Sequence, residues 1–394
     1  MNLFQRLLVA PATLGLLAPI AANASEVNLN VISNYYSESE LEINSDTFKP
    51  LSANDSLLIS GGEGLVDSHD HGSDDSFSST TSASFSVDMV LGAVDGATNA
   101  DDTLDEQNLN ASYGYQIDLS TSFTGEDSLD VSIDAGTSAS GTTLDELDLN
   151  SGGDTLAVDG VSYTFPIGDK ITAFVGDNMD GSTLYSTACV YGGVTNTLDD
   201  CGNASSAMAA EFGTAAGASF DIGNGFTGAI GYEGQGSDQV GLLTKEGTDS
   251  YGGQISYAAD QYGASVTYNI TETSSTEETT YWGLNGYWTP SETGSMPSIS
   301  VGYETGDPSA ASAKDTEHYF IGLQWDEIGP GTLGVAAGTA DPVEENANEL
   351  MMYEAFYSYP VNDGLTLTPV IFIEEKAAGT DDLTGIAVKA SFSF

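Results

Sequence analysis

From about residue 80 to the end of the chain, apolar and polar positions alternate with a period of two in segment after segment. The last segment is the plainest: Ile386, Val388, Ala390, Phe392 and Phe394 make an apolar face, and Gly385, Ala387, Lys389, Ser391 and Ser393 a small and polar one. Neighbouring side chains of a strand point to opposite sides, so one face of each segment meets an oily phase and the other meets water. The same division sets Tyr262, Ala264, Val266, Tyr268 and Ile270 against Gly263, Ser265, Thr267 and Asn269. It sets Trp282, Leu284 and Trp288 against Tyr281, Gly283, Asn285 and Tyr287, and Tyr319, Ile321, Leu323 and Trp325 against His318, Phe320, Gly322 and Gln324. Sixteen segments follow the rule, near 80–93, 110–123, 128–137, 155–166, 169–177, 214–222, 225–234, 249–259, 261–270, 279–289, 296–304, 315–326, 331–339, 350–360, 363–374 and 383–394. A lipid-facing strand needs about 9–11 residues, so the pattern predicts an all-β chain folded as a 16-stranded antiparallel transmembrane β-barrel.

The connections sharpen that expectation. Every second one is tight: Thr124-Gly125-Glu126-Asp127, Gly168-Asp169, Gly223-Asn224-Gly225, Asp260 alone, Ser291 to Ser295, Gly329-Pro330-Gly331 and Asn362-Asp363-Gly364. These residues tolerate or preset the backbone angles of turns. The connections between them are expected to be long acidic loops, the longest from about 178 to 213. Short turns at one rim and long loops at the other are the arrangement of outer-membrane barrels, with short turns in the periplasm. Trp288, Trp325, Phe123 and Tyr359 fall beside the predicted turns, where amphipathic rings sit at lipid headgroups.

Composition narrows the compartment. Arg6 precedes an apolar run from Leu7 to Ile20, and Ala22-Asn23-Ala24 supplies a signal-peptidase site, so residues 1–24 read as a signal peptide. Residues 25–79 lack sustained alternation and read as a short acidic, mostly irregular periplasmic segment, with the barrel over 80–394. Of 7 basic and 59 acidic residues, Arg6 leaves with the leader, so the mature chain carries 6 − 59 = −53 and no arginine. Such a surface repels phosphate, which excludes nucleic acid as a partner. Glycine at 46 residues and an apolar fraction of 40% suit a wall in which only one face of each strand is oily.

The stretch from Tyr113-Gly114-Tyr115 through Ser122-Phe123-Thr124-Gly125-Glu126-Asp127, with Val161 to Gly176, resembles the cyanobacterial branch of the OprB-type carbohydrate-selective porins. The leader is similar to those of marine unicellular cyanobacteria. The likeness is carried by residues 80–180 and is one of architecture from there to Phe394. It implies an outer-membrane porin, a homotrimer, through which sugars and inorganic ions diffuse passively. Members typically carry an S-layer-homology module and a coiled coil ahead of the barrel, and residues 25–79 are too short and polar to be both. Members also place arginines on the lumen face of the third strand, where this chain has Ser132 and Asp134, so an arginine-based sugar or anion filter does not carry over.

Alternation assigns Asp118, Asp130, Asp134, Glu233, Glu304, Glu354 and Glu374 to the lumen, with Lys389 the one lysine pointing into it. Carboxylates lining a narrow passage concentrate cations and repel anions. The expectation is a water-filled channel favouring cations and small neutral solutes, in contact with outer-membrane lipid. The loop near 178–213 is the candidate for narrowing the bore, and an even cysteine count in an exported chain predicts a disulfide between its Cys189 and Cys201. Phe394, the terminal aromatic, is the candidate for guiding barrel assembly. No nucleophile elbow, zincin helix or phosphate loop occurs, so no enzyme, cofactor or metal centre is expected. His69-Asp70-His71, and Asp177 to Gly181 with Asp199-Asp200, read as solvated acidic stretches rather than metal sites. The competing reading is a secreted acidic adhesin or surface-layer β protein, with a salt-adapted hydrolase third.

Overall fold

A computed structural model describes residues 80–96, 109–137, 144–147, 149–150, 153–202, 205–208, 213–235, 241–244, 247–292, 294–377 and 381–394. The predicted leader, residues 25–79 with His69 and His71, and Lys245 lie outside the described residues.

The alternating segments form the strands β1 (Thr81–Asp95), β2 (Asn110–Thr121), β3 (Ser128–Gly136), β4 (Ala157–Ile167), β5 (Ile171–Asp177), β6 (Thr214–Gly223), β7 (Phe226–Gly234) and β8 (Asp249–Ala258). They continue as β9 (Tyr262–Ser274), β10 (Glu277–Trp288), β11 (Ser298–Pro308), β12 (Thr316–Ile328), β13 (Gly331–Thr339), the two-residue β14 (Val343–Glu344), β15 (Met351–Asn362), β16 (Leu365–Glu374) and β17 (Leu383–Ser393). Each wall strand pairs antiparallel with its neighbour in the chain, and β17 returns to β1 with a register running from Ser86↔Ser393 to Asp95↔Thr384. The sheet is therefore closed, with no free edge. Since β14 only pairs with Thr316 and Glu317 at the rim, the wall itself has sixteen strands.

Exposure along the wall is the reverse of that in a water-soluble domain. Ile230, Ile255, Trp282 and Leu284 are 55%, 60%, 49% and 49% exposed on the outer face, while Thr267 and Asn269 are 0% exposed on the inner one. Apolar groups outside and polar groups inside are what a hydrocarbon surround and an aqueous interior select. Phe123, Trp288 and Tyr359 are exposed beside the short turns, at the level of the aromatic girdle.

The tight turns follow their residues. Asn224 and Gly225 both take positive φ, +55° and +84°, the pair of left-handed conformations that a two-residue turn matched to strand twist requires. The turn from Phe123 to Asp127 is built on one carboxylate: Asp127 Oδ1 accepts from Ser122 Oγ at 2.8 Å, the Phe123 and Thr124 N–H groups at 2.9 and 2.8 Å, and Thr124 Oγ1 at 2.8 Å. The Tyr163 hydroxyl donates to its other oxygen at 2.7 Å. That bond, with those from Thr124 and Ser122, holds the Asp127 acid well below the usual carboxylate range, against the opposing effect of burial. A depressed pKa means the stabilisation is complete above the ordinary aspartate value of about 3.9 and is lost as pH falls through the folded-state value. Asp127→Ala is expected to lower the melting temperature of the detergent-solubilised barrel by several degrees. The gap from wild type should stay constant between neutral pH and mildly acidic pH and shrink only in stronger acid, as read by circular dichroism melts across pH.

One outer connection departs from expectation. Alternation ends near Ile270 and resumes near Thr279, which predicts a long loop, yet β9 runs to Ser274 and β10 starts at Glu277, leaving Ser275-Thr276 as a two-residue turn. The ladder continues through Glu278↔Glu272 and Thr279↔Thr271. Beyond the membrane both faces of a hairpin meet water, so pairing persists where the apolar rhythm has no reason to.

Candidate functional site

The connection after β5 does not stay outside. Its described parts, 178–202 and 205–208, enter the barrel and lie along the inner wall as a strap. The outgoing limb donates backbone N–H groups to one inner-face acceptor after another. Gly181 donates to Glu233 Oε2 at 2.7 Å, Ser186 to Gln254 Oε1 at 2.7 Å and Ala188 to Ser265 Oγ at 3.1 Å. Val190 and Tyr191 donate to Ser300 Oγ at 3.0 and 3.2 Å, and Gly192 to Gln324 Oε1 at 3.0 Å. At the tip, Glu354 Oε2 accepts the Thr195 N–H at 2.8 Å and the Val194 N–H at 3.2 Å, while Oε1 takes the Tyr191 hydroxyl at 2.6 Å. These acceptors stand on β7, β8, β9, β11, β12 and β15 in turn. On the way back Asn285 Nδ2 donates to the Cys201 carbonyl at 3.1 Å, Asn269 Nδ2 to the Ser205 carbonyl at 2.8 Å, and Ser206 N–H to Glu304 Oε2 at 2.6 Å. A segment without regular structure is thus satisfied by the wall, as buried backbone must be.

Glycines make room for it. A Cβ on Gly302 would lie 1.7 Å from the Cys201 carbonyl oxygen, and one on Gly231 would lie 1.9 Å from that of Gly181. Both face inward, because Gly302 pairs with Asn285 and Phe320, and Gly231 with Gly252. The inner-face glycines are therefore the contact surface of the strap, a role that composition alone does not reveal.

Cys189 and Cys201 are joined by a disulfide, with Cα atoms 6.5 Å apart, tying the outgoing limb to the returning one. The ring so closed carries the single helical turn α1 (Asn196–Asp199) and buries Tyr191, Val194 and Leu198 against Phe320, Phe356, Phe372 and Met352 of the wall. The Tyr191 ring lies 5.5 Å from that of Phe320 and 5.9 Å from that of Phe356. A second inward turn from the β3–β4 connection adds Leu144, Leu147 and Leu149, and Thr197 Oγ1 donates to Glu146 Oε2 at 2.9 Å between the two. Burial, and then the neighbouring Glu354 carboxylate, push the Tyr191 phenol far up, so it stays protonated and keeps donating. Sequence reading has the lumen wholly polar. The apolar patch is the exception, running from Phe320 on β12 through Ala336, Phe356, Val370 and Phe372 to Ala387 on β17 and Val90 and Val94 on β1, and its signal was Phe320 and Phe372 standing on inward faces.

The residues proposed for the lumen divide into two sets. Glu233, Glu304 and Glu354 are 0%, 2% and 3% exposed, each engaged with the strap. Glu374 is bonded to Lys376, which reaches in from the outer loop. Lys389 pairs with Asp88 at 3.0 Å. Asp118, Asp130 and Asp134 are half-buried on β2 and β3, with their described partners along the wall: Gln116 Nε2 and Ser132 Oγ donate to Asp118 at 2.8 and 2.7 Å, and Ser128 Oγ to Asp130 at 2.7 Å. Around them the inner face carries Ser82, Ser84 and Ser86 of β1 and Ser120 of β2. Phe394 closes the β1–β17 seam, exchanging backbone hydrogen bonds with Phe85 at 2.9 and 3.1 Å and stacking on its ring at 5.7 Å.

The barrel is similar to a solved structure of OprB from Pseudomonas putida, with a TM-score of 0.56 at 12% identity over 80% of this chain and 94% of that one. A mutant porin of Rh. blastica gives a TM-score of 0.49 at 11% identity over 80% and 100% of the two chains. No protein-family model and no curated protein sequence matches the chain. The class defined by fold is thus the sixteen-stranded barrel that OprB shares, and at this identity the likeness is one of fold.

Proposed function

We propose that the protein is an outer-membrane porin, a non-enzymatic channel for passive diffusion of small hydrophilic solutes that favours cations and neutral solutes, sugars and inorganic ions among them. The observation that carries the reading is the closed wall, oily outside and polar inside, with a long outer loop folded into its interior. A secreted adhesin would have no use for a continuous apolar exterior around a polar interior. The cation preference rests on inward carboxylates unmatched by free cations: of the described lysines, Lys389 and Lys376 are paired with Asp88 and Glu374. A homotrimer, the form implied by the OprB-type resemblance, is part of the proposal. Reconstituted in a planar bilayer under a salt gradient, the protein should give discrete conductance steps and a reversal potential of the sign for cation preference. A reversal potential of opposite sign would remove the selectivity, and absence of steps the channel.

A further inference from the structure

We infer a division of labour among the inward carboxylates: Glu233, Glu304 and above all Glu354 are positioning residues that latch the strap to the wall, and cation preference is set by Asp118, Asp130 and Asp134. The inference rests on the porin reading and assigns its selectivity to particular residues. Each of the three glutamates is almost fully buried: Glu354 gives both oxygens to strap N–H groups and the Tyr191 hydroxyl, and Glu233 and Glu304 each give Oε2 to a strap N–H, so a solute in the bore meets the strap and not the carboxylate. Apart from Asn178, whose side-chain amide donates to the Asp159 carbonyl of β4, the strap's described hydrogen bonds to the wall fall on β7 to β15. Residues 144–150 pack on Val90, Gly92, Gly114 and Gly136 at the outer ends of β1 to β3, and the rest of those inner faces is left to the serines and aspartates. There the register sets Asp134 opposite Gln116, Asp118 opposite Ser132 and Asp130 opposite Ser120. At a rise of about 3.3 Å per residue the three carboxylates form a file roughly 13 Å long down the bore, spaced about two residues apart. Asp88 is the fourth acid on this side, and Lys389 neutralises it. A file of weak sites hands a cation on without trapping it.

The test uses full-length protein in planar bilayers and, separately, hydrogen exchange on the same samples in detergent. Asp118→Asn with Asp130→Asn and Asp134→Asn should move the reversal potential at least halfway to zero, with exchange at Val194 and Thr195 unchanged. Glu354→Gln should leave the reversal potential where it was, raise single-channel conductance, and speed exchange at those two amides by about ten- to a hundredfold, the loss expected for hydrogen bonds to a charged acceptor. Ser300→Ala, which weakens the strap without changing charge, should act as Glu354→Gln does and covers the case in which that variant fails to fold. A reversal potential insensitive to the aspartates, or one that shifts with Glu354→Gln, overturns the inference, as does unchanged exchange in both strap variants. Wild-type protein without conductance defeats the porin reading instead, while the exchange results still decide the latch.

Discussion

Gly302→Val is expected to dislodge the strap while leaving the barrel intact. The valine side chain would occupy the place of the Cys201 carbonyl oxygen, 1.7 Å from where its Cβ must lie, and would crowd the Asn285 amide that holds that carbonyl. Neither the strand backbone nor the disulfide-closed ring has a flexible end to move aside. Overpacking of this kind costs about 1–3 kcal/mol, and set against strap seating alone that is about a five- to 150-fold shift toward the unseated form. Single-channel conductance should rise, with noisier open levels. Gly286→Val on the outward face of β10 is the control, since a Cβ there meets nothing closer than 3.5 Å. Equal conductance in the two variants would show that the strap does not narrow the passage.

Removal of Phe394 is expected to have the other large effect, on assembly. The residue contributes two backbone hydrogen bonds and a ring stack to the strand pair that turns a sheet into a cylinder. At about 0.5–1.5 kcal/mol for each hydrogen bond and for the stacked pair, the loss is about 1.5–4.5 kcal/mol. That corresponds to roughly a tenfold to a thousandfold change in the closing equilibrium. In refolding from urea into detergent, the heat-modifiable folded band should fall steeply for the deletion, fall less for Phe394→Ala, which keeps both backbone hydrogen bonds and loses only the stack, and recover for Phe394→Tyr. A deletion variant that folds as wild type would relieve Phe394 of any part in closure.

The wall was legible because each strand obeys two simple constraints at once, a period of two and a rim set by turn chemistry. Asn224-Gly225 and the Asp127 turn show how local that information is. The β9–β10 hairpin was not legible, because Glu272 and Glu278 lie where lipid no longer imposes alternation. Alternation speaks to the side of the wall on which Glu233, Glu304 and Glu354 stand, but their contacts depend on a loop whose path has no periodic signature: Glu354 and Thr195 are 159 positions apart. The glycines carried the missing signal. Gly231 and Gly302 stand among larger inward residues on their strands, and a gap on an otherwise filled face says that something comes close.

The partners of the strap are spread over nearly half the circumference, from Glu233 to Glu354, whereas its covalent ring spans only Cys189 to Cys201. Oxidation can therefore precede any wall, but docking must wait until β15 has been laid down, because half a cylinder offers half a rail. Burial of Tyr191 becomes a chronometer for biogenesis, and a fluorophore at that position would light up last.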